Sequence, residues 1–203
     1  IICTVDEEGN VVVLSRAGKQ IQLGSHFNEL AKRAVEDFGM CVLDGELLVM
    51  DETGGQYEER KTGNGILNKA IKGTISQPEI NRVRIVLYDV IEHGDWLRGE
   101  SRIAYSIRFG LLDKFIKRNP DSGAYLVNHK RVDNLEEAQE YCNSMYEDGK
   151  EGIILKNLHG FWVNDRSKDL VKFKAEREVE LRVIGHQPGT GKHLGRLGSL
   201  ICQ

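Results

Sequence analysis

No Cys-x-x-Cys pair occurs among the four cysteines, Cys3, Cys41, Cys142 and Cys202. Thiols scattered in this way argue against a structural zinc site and fit reduced cysteines in a cytosolic setting. No histidine pair has zinc-like spacing either. No apolar run approaches the ~20 residues that a membrane-spanning helix needs, and the first residues lack the pattern of a secretory signal. Internal repeats and low-complexity tracts are absent. A phosphate-binding loop is missing too. Gly189-Thr-Gly-Lys192 has its glycines, but His186 stands where the first glycine is required, and His193 stands where Ser or Thr must follow the lysine. What is present is an ordinary balance of 40% hydrophobic and 29% charged residues, enough for a packed core. At 203 residues the chain suits one large domain, or one domain and part of another.

Charge is unevenly placed. From Lys150 to Gln203 ten Lys or Arg face six Asp or Glu, so within the chain's net −3 the first 149 residues carry −7. Basic charge gathered at one end is compatible with a polyanionic partner.

Periodicity predicts an α+β domain built on antiparallel sheets. Runs at 1–5 and 11–15 read as a hairpin turned by Asp6-Glu-Glu-Gly-Asn10. A helix capped by Ser25 carries Phe27, Leu30, Ala31, Ala34, Val35 and Phe38, and ends at Gly39. Two short strands near 40–43 and 46–50 flank Asp44-Gly45. Residues 51–63 read as a loop, 66–71 as a short helix and 84–91 as a buried strand. A helix over 103–118 shows Ile107, Leu111, Leu112 and Phe115. Another, with a capping-box-like start at Asn134 and Glu137, ends at Gly149. Strands at 152–156, 169–174, 179–186 and 195–202 complete the pattern, with a domain boundary at 174–178. The chain opens and closes on strand-like sequence, so we expect an internal piece of a longer protein.

The densest chemistry lies in two late segments. Glu151-Gly-Ile-Ile-Leu-Lys156 brackets a strand-like run with a carboxylate and a lysine, and Lys172-Phe-Lys174 sets two lysines two residues apart. Alternation turns Lys172 and Lys174 to one face of a strand and Phe173 to the other. Adjacent ammonium groups repel unless an anion lies between them. Phosphate is the natural candidate, and the nearby carboxylate suggests a divalent metal bound to it. The plain alternative is charge on the wet face of an edge strand. Three earlier segments precede them in order: Ser15-Arg-Ala-Gly18, Asp44-Gly-Glu-Leu47 and Leu87-Tyr-Asp89. Each alone has a structural explanation. Asp44-Gly45 reads as a tight turn with Glu46 solvated, Tyr88 as core, Ser15-Arg16 as a turn and a surface charge, and Glu151 as a strand cap.

Together, in this order and at these spacings, the five segments resemble the nucleotidyltransferase motifs of ATP-dependent DNA ligases. The stretch Asn64-Gly-Ile-Leu-Asn-Lys-Ala-Ile-Lys-Gly-Thr-Ile-Ser76 is similar to the tailed-phage members in particular, and the resemblance covers essentially the whole chain. It implies an ATP-grasp-like nucleotidyltransferase domain of antiparallel sheets flanked by helices over 1–176, N-terminally truncated. The first strands of an OB-fold β-barrel would follow at 177–203. It implies ATP as AMP donor, Mg²⁺, and nicked double-stranded DNA as partner. It further implies a monomer with no membrane association, in the cytoplasm of a phage-infected bacterial host. The implied chemistry is transfer of AMP from ATP to a lysine, then to a 5′-phosphate at a nick, then its displacement by the 3′-hydroxyl.

The resemblance also implies roles. Lys172 and Lys174 would hold the α-phosphate. Glu151 would bind Mg²⁺. Glu46 would contact the ribose and the metal, and Arg16 the nucleotide or nick phosphate. Tyr88 would stack on adenine, and Lys156 would join the same pocket. RNA ligases and capping enzymes share the fold and motif order, and a non-catalytic nucleic-acid-binding module is the alternative of a different class. The run from Asn64 to Ser76 favours DNA ligase.

One departure stands out. The family's nucleophile belongs to a Lys-x-Asp-Gly motif, which this chain lacks; Tyr146-Glu-Asp-Gly149 has no lysine in the required place. By family spacing the motif would lie just before Ile1, so the 203 residues by themselves are expected not to form lysyl-AMP.

Overall fold

The computed structural model describes residues 2–174 and 180–203. The expected boundary at 174–178 falls, from residue 175 onward, outside the described residues. The chain divides into two compact units: residues 1–135 with 154–172, and residues 136–153 with 173–203.

The first unit is organised by a five-stranded sheet. Its strands are β1 (Ile2–Val5), β2 (Val11–Leu14), β3 (Cys41–Val49), β4 (Val83–Glu92) and β6 (Ala124–Leu126), in the order β2-β1-β3-β4-β6. All neighbours are antiparallel except β4 and β6, which run parallel. The β1–β2 turn is held by Asp6, whose Oδ1 accepts the backbone N–H groups of Glu8 and Asn10 at 3.0 and 2.8 Å.

One face of the sheet is the core. Cys41, Leu43 and Leu47 of β3 and Val83, Ile85 and Leu87 of β4 pack there with Leu30, Ala31 and Ala34 of α1 (Asn28–Phe38) and with Leu112 and Phe115 of α5 (Tyr105–Arg118). Leu112 and Phe115 are fully buried, and burial of each side chain is worth about 1.5–3 kcal/mol. Helix α2 (Arg60–Lys72) adds Ala70 to this core, and α3 (Gln77–Asn81) adds Ile80. Short α4 (His93–Arg98) follows β4, and β5 (Glu100–Ser101) pairs with β8 (Trp162–Val163).

Several expectations need correcting. The segments at 40–43 and 46–50 form one continuous strand, β3, because Asp44 and Gly45 stay paired with β4 instead of turning. The α1 helix starts at Asn28, three residues after Ser25, whose carbonyl accepts the Asn28 N–H at 3.1 Å. The last residues of the expected 51–63 loop are the first turn of α2. On α5 the buried face is Arg108, Leu112 and Phe115, while Ile107 and Leu111 are 56% and 45% exposed. The helix is rotated away from its most apolar face because Arg108 has a buried partner on β4.

Strands β7 (Ile153–Lys156) and β9 (Leu170–Phe173) form a two-stranded sheet. In the second unit, α6 (Leu135–Glu147) contributes all but its first residue, and Cys142 Sγ lies 3.7 Å from the Phe173 carbonyl. The same unit carries an antiparallel hairpin of β10 (Val183–Pro188) and β11 (Leu197–Cys202). Gly189 and Gly191 lie in its connection, and a Cβ on Gly189 would sit 2.3 Å from the His193 carbonyl oxygen. No closed barrel is formed among the described residues.

Candidate nucleotide site

The site is built by a register shift. Asp44 of β3 pairs with Asp89 of β4, but Gly45 pairs with Leu87, leaving Tyr88 as an extra residue. One inserted residue exchanges the two faces of a strand. Val83, Ile85 and Leu87 face the core before the bulge, and Val90 returns to it afterwards. Tyr88 and Asp89 are thereby set on the opposite face, which β3 lines with Asp44 and Glu46. Gly45 permits the close approach: a Cβ there would lie 2.5 Å from the Val86 carbonyl oxygen.

Asp89 is buried and fully engaged. Arg108 Nε and Nη2 donate to its two carboxylate oxygens at 2.8 and 2.9 Å, and the Val90 N–H donates at 2.9 Å. Arg108 Nη1 also donates to the Ile103 carbonyl. Lys156, at the end of β7, points its ammonium into this group. Its Nζ donates to the Tyr88 carbonyl at 3.3 Å and lies 3.9 Å from Asp89 Oδ2, 4.3 Å from the Tyr105 ring centre and 5.7 Å from the Tyr88 ring centre. Burial lowers the Lys156 pKa, with Asp89 and Asp44 pulling it back up. Burial raises the Asp44 carboxyl, and it raises the Tyr88 hydroxyl with help from the charges of Asp44 and Glu46. In all three groups burial is the first cause, and it disfavours the charged form.

Beside this group opens a cavity of about 400 Å³, lined by Asp44, Asp89, Tyr105, Arg108, Lys156 and Trp162 among others. It offers aromatic surface and the Lys156 cation, but of the sequence-predicted residues only Lys156 lines it, and Tyr88 and Glu46 do not.

The sequence-predicted residues fall as follows. Tyr88 and Lys156 are brought together, and the charge of Glu46 acts on the Tyr88 hydroxyl. Glu46 is exposed on β3. Arg16 is exposed in the turn after β2, where the Gly18 N–H donates to the Ser15 carbonyl at 2.8 Å. Lys172 lies on β9 in the first unit. Lys174 and Glu151 belong to the second unit, where Lys174 Nζ lies 3.7 Å from Glu151 Oε2. Among the described residues no cluster of three or more potential metal ligands exists. Of the two carboxylates expected to hold a metal, Glu46 lies in the first unit and Glu151 in the second.

Sequence reasoning gave no role to Asp44, Asp89, Tyr105 or Arg108. A signal existed for Arg108: it stands at i, i+4 and i+7 spacing with Leu112 and Phe115, and a cation on a buried stripe calls for a buried partner.

Residues 2–174 match the family model described as "ATP dependent DNA ligase domain". The chain is 30% identical over 212 aligned positions to the DNA ligase of Enterobacteria phage T4, covering 90% of this chain and 43% of that protein. It is 27% identical to DNA ligase 1 of Methanosarcina acetivorans, covering 79% of this chain and 29% of that one. The chain thus spans less than half the length of these curated relatives. Its fold matches a bacteriophage T7 ATP-dependent DNA ligase, solved in complex with ATP, with a TM-score of 0.68 at 18% identity, over 99% of this chain and 70% of that one.

Proposed function

The chain belongs to the ATP-dependent DNA ligase family, and from that premise we propose that it is the nucleotidyltransferase part of an enzyme that seals nicks in duplex DNA. The observation that supports the reading most is the bulge at Tyr88, which sets Tyr88 on the side of the sheet that carries Asp44 and Glu46, with Lys156 Nζ 5.7 Å from its ring centre. In this reading Tyr88 stacks on adenine and Glu46 accepts from the ribose hydroxyls. Lys156 places positive charge in the same pocket. Lys172 and Lys174 neutralise the α-phosphate, and Arg16 contacts the nucleotide or the nick phosphate. Glu46 and Glu151 would hold Mg²⁺, which supplies charge neutralisation on the phosphates.

Each step is a displacement at phosphorus. A lysine amine forms the N–P bond as pyrophosphate leaves. The nick 5′-phosphate then takes the AMP as that bond breaks, and the 3′-hydroxyl closes the strand as AMP departs. The residues of this chain contribute positioning and charge rather than the nucleophile. The domain division at residue 176, with an OB-fold from 177, and a monomeric state belong to the same proposal.

The test uses the protein expressed from its whole reading frame. Incubated with α-labelled ATP and Mg²⁺, it should retain label after denaturation and lose it to nicked DNA as sealed product appears. Label that passes only to RNA ends or caps would favour an RNA-directed transferase. A folded protein with Lys-x-Asp-Gly that takes up no label would refute the adenylyl-transfer reading.

A further inference from the structure

The bulge that presents Tyr88 is held from outside its own sheet. The register between β3 and β4 passes over Tyr88, and its carbonyl is taken up by side chains instead. Lys156 Nζ donates to it at 3.3 Å, and the Tyr105 hydroxyl donates from 3.4 Å. The hydroxyl contact is long for its kind. The closer tie runs between the two side chains themselves. The Lys156 ammonium stands 4.3 Å from the Tyr105 ring centre, against 5.7 Å from that of Tyr88.

Tyr105 is itself firmly placed. It opens α5, where backbone N–H groups have no partner within the helix. Its N–H donates to the Gly160 carbonyl and that of Ser106 to the Leu158 carbonyl, both at 2.9 Å. Phe109, one turn on, packs against its ring with centres 5.3 Å apart. The Lys156 side chain is only 17% exposed, so its ammonium has given up much of its water. The negative face of an aromatic ring offsets part of that loss. Burial, with the charge of Asp89, raises the Tyr105 hydroxyl, which therefore stays neutral. A ring that only filled space would have no reason to turn its face to the ammonium. Fixing that ammonium fixes its grip on the Tyr88 carbonyl, and with it the peptide that carries the Tyr88 ring.

We propose that Tyr105 is a positioning residue for ATP: its ring holds the Lys156 ammonium on the Tyr88 carbonyl, and so sets the Tyr88 ring for the adenine. Tyr105 acts through these two residues rather than on the reacting atoms. The inference rests on the ligase reading, in which Tyr88 stacks on the base; the contacts among the three residues are independent of it.

The test measures ATP binding by calorimetry in EDTA, with the protein expressed from its whole reading frame, so that adenylyl transfer does not follow. Tyr105→Phe should bind ATP within about twofold of the wild-type protein, since it loses only the long hydroxyl contact and keeps the ring face. Tyr105→pentafluorophenylalanine has nearly the same shape, so folding is spared, but its ring face carries charge of the opposite sign. It should bind ATP about threefold or more weakly than Tyr105→Phe, the size of a lost cation–π contact. In a Lys156→Met background the two ring variants should bind alike, because no cation is left to hold. Equal affinities with Lys156 present, or a difference that persists without it, would make Tyr105 a packing residue, and the inference falls alone. Tyr88→Ala should weaken ATP binding about fivefold or more, the size of a lost base stack. If it leaves the affinity unchanged, or if the wild-type protein binds no ATP, the adenine-stacking reading falls and the inference with it.

Discussion

Removing the guanidinium of Arg108 should cost more stability than any surface change in this chain. Arg108 and Asp89 are each 5% exposed, and the two hydrogen bonds between them measure 2.8 and 2.9 Å. Arg108→Met keeps an unbranched stem but leaves a carboxylate buried with only the Val90 N–H at 2.9 Å and the Lys156 ammonium at 3.9 Å. Breaking a buried pair from one side costs about 3–5 kcal/mol, because the surviving charge has lost both water and partner. Lys156 offsets part of this, so the lower end, about 3 kcal/mol, is expected. Asp89→Leu/Arg108→Met removes both charges and should cost about 1 kcal/mol or less, since apolar replacements of buried pairs are often near neutral. Urea unfolding followed by tryptophan fluorescence measures this directly, because Trp96 and Trp162 lie in the same unit as the pair with ring centres 5.1 Å apart. The reasoning fails if Arg108→Met changes stability by less than about 0.5 kcal/mol, or if the double variant is no more stable than the single.

Three further outcomes are expected. Gly45→Ala should destabilise by about 1–3 kcal/mol and weaken ATP binding in calorimetry, since its methyl would meet the Val86 carbonyl at 2.5 Å and displace the bulge that presents Tyr88. Burial lowers the Lys156 pKa below the ordinary ~10.4, so between those values the unfolded chain binds more protons and stability rises with pH. ATP affinity should fall over the same window as the ammonium is lost, and Lys156→Met should flatten both profiles in paired denaturation and binding series. Burial pushes the Cys3 and Cys41 thiols up to about 12, and Cys142 is buried while Cys202 is exposed. Iodoacetamide at neutral pH followed by peptide mass spectrometry should therefore find label on Cys202 alone, and rapid native labelling of Cys3 would contradict the placement of β1.

What could be read from the sequence was what depends on neighbours along the chain. The Asp6–Asn10 turn, the end of α1 at Gly39 and the long apolar run of β4 are local signals, and each appears where its residues place it. The start of α2 is hidden in the sequence because Gly63 and Gly65 mimic a loop, while the helix is set against the fold by its buried side, Gly63, Ile66 and Ala70. The face of α5 was misjudged because counting apolar residues takes no account of a buried acid supplied by a strand elsewhere.

The candidate site shows the same division more sharply. Its residue types were visible as short motifs, but the feature that assembles them was not. Asp44-Gly45 has the local signature of a turn, and within β3 alone nothing contradicts it. Only the pairing with β4 decides the matter. There Gly45 meets Leu87 rather than Tyr88, so one residue is left over and the strand changes face. That leftover residue is the aromatic, and the next is the acid that Arg108 holds and Lys156 approaches. A motif that reads as a turn in one dimension is thus a two-strand device in three. Its glycine serves the approach of β4 rather than a reversal of the chain, which is why alanine at position 45 should disturb Tyr88, a residue on a different strand.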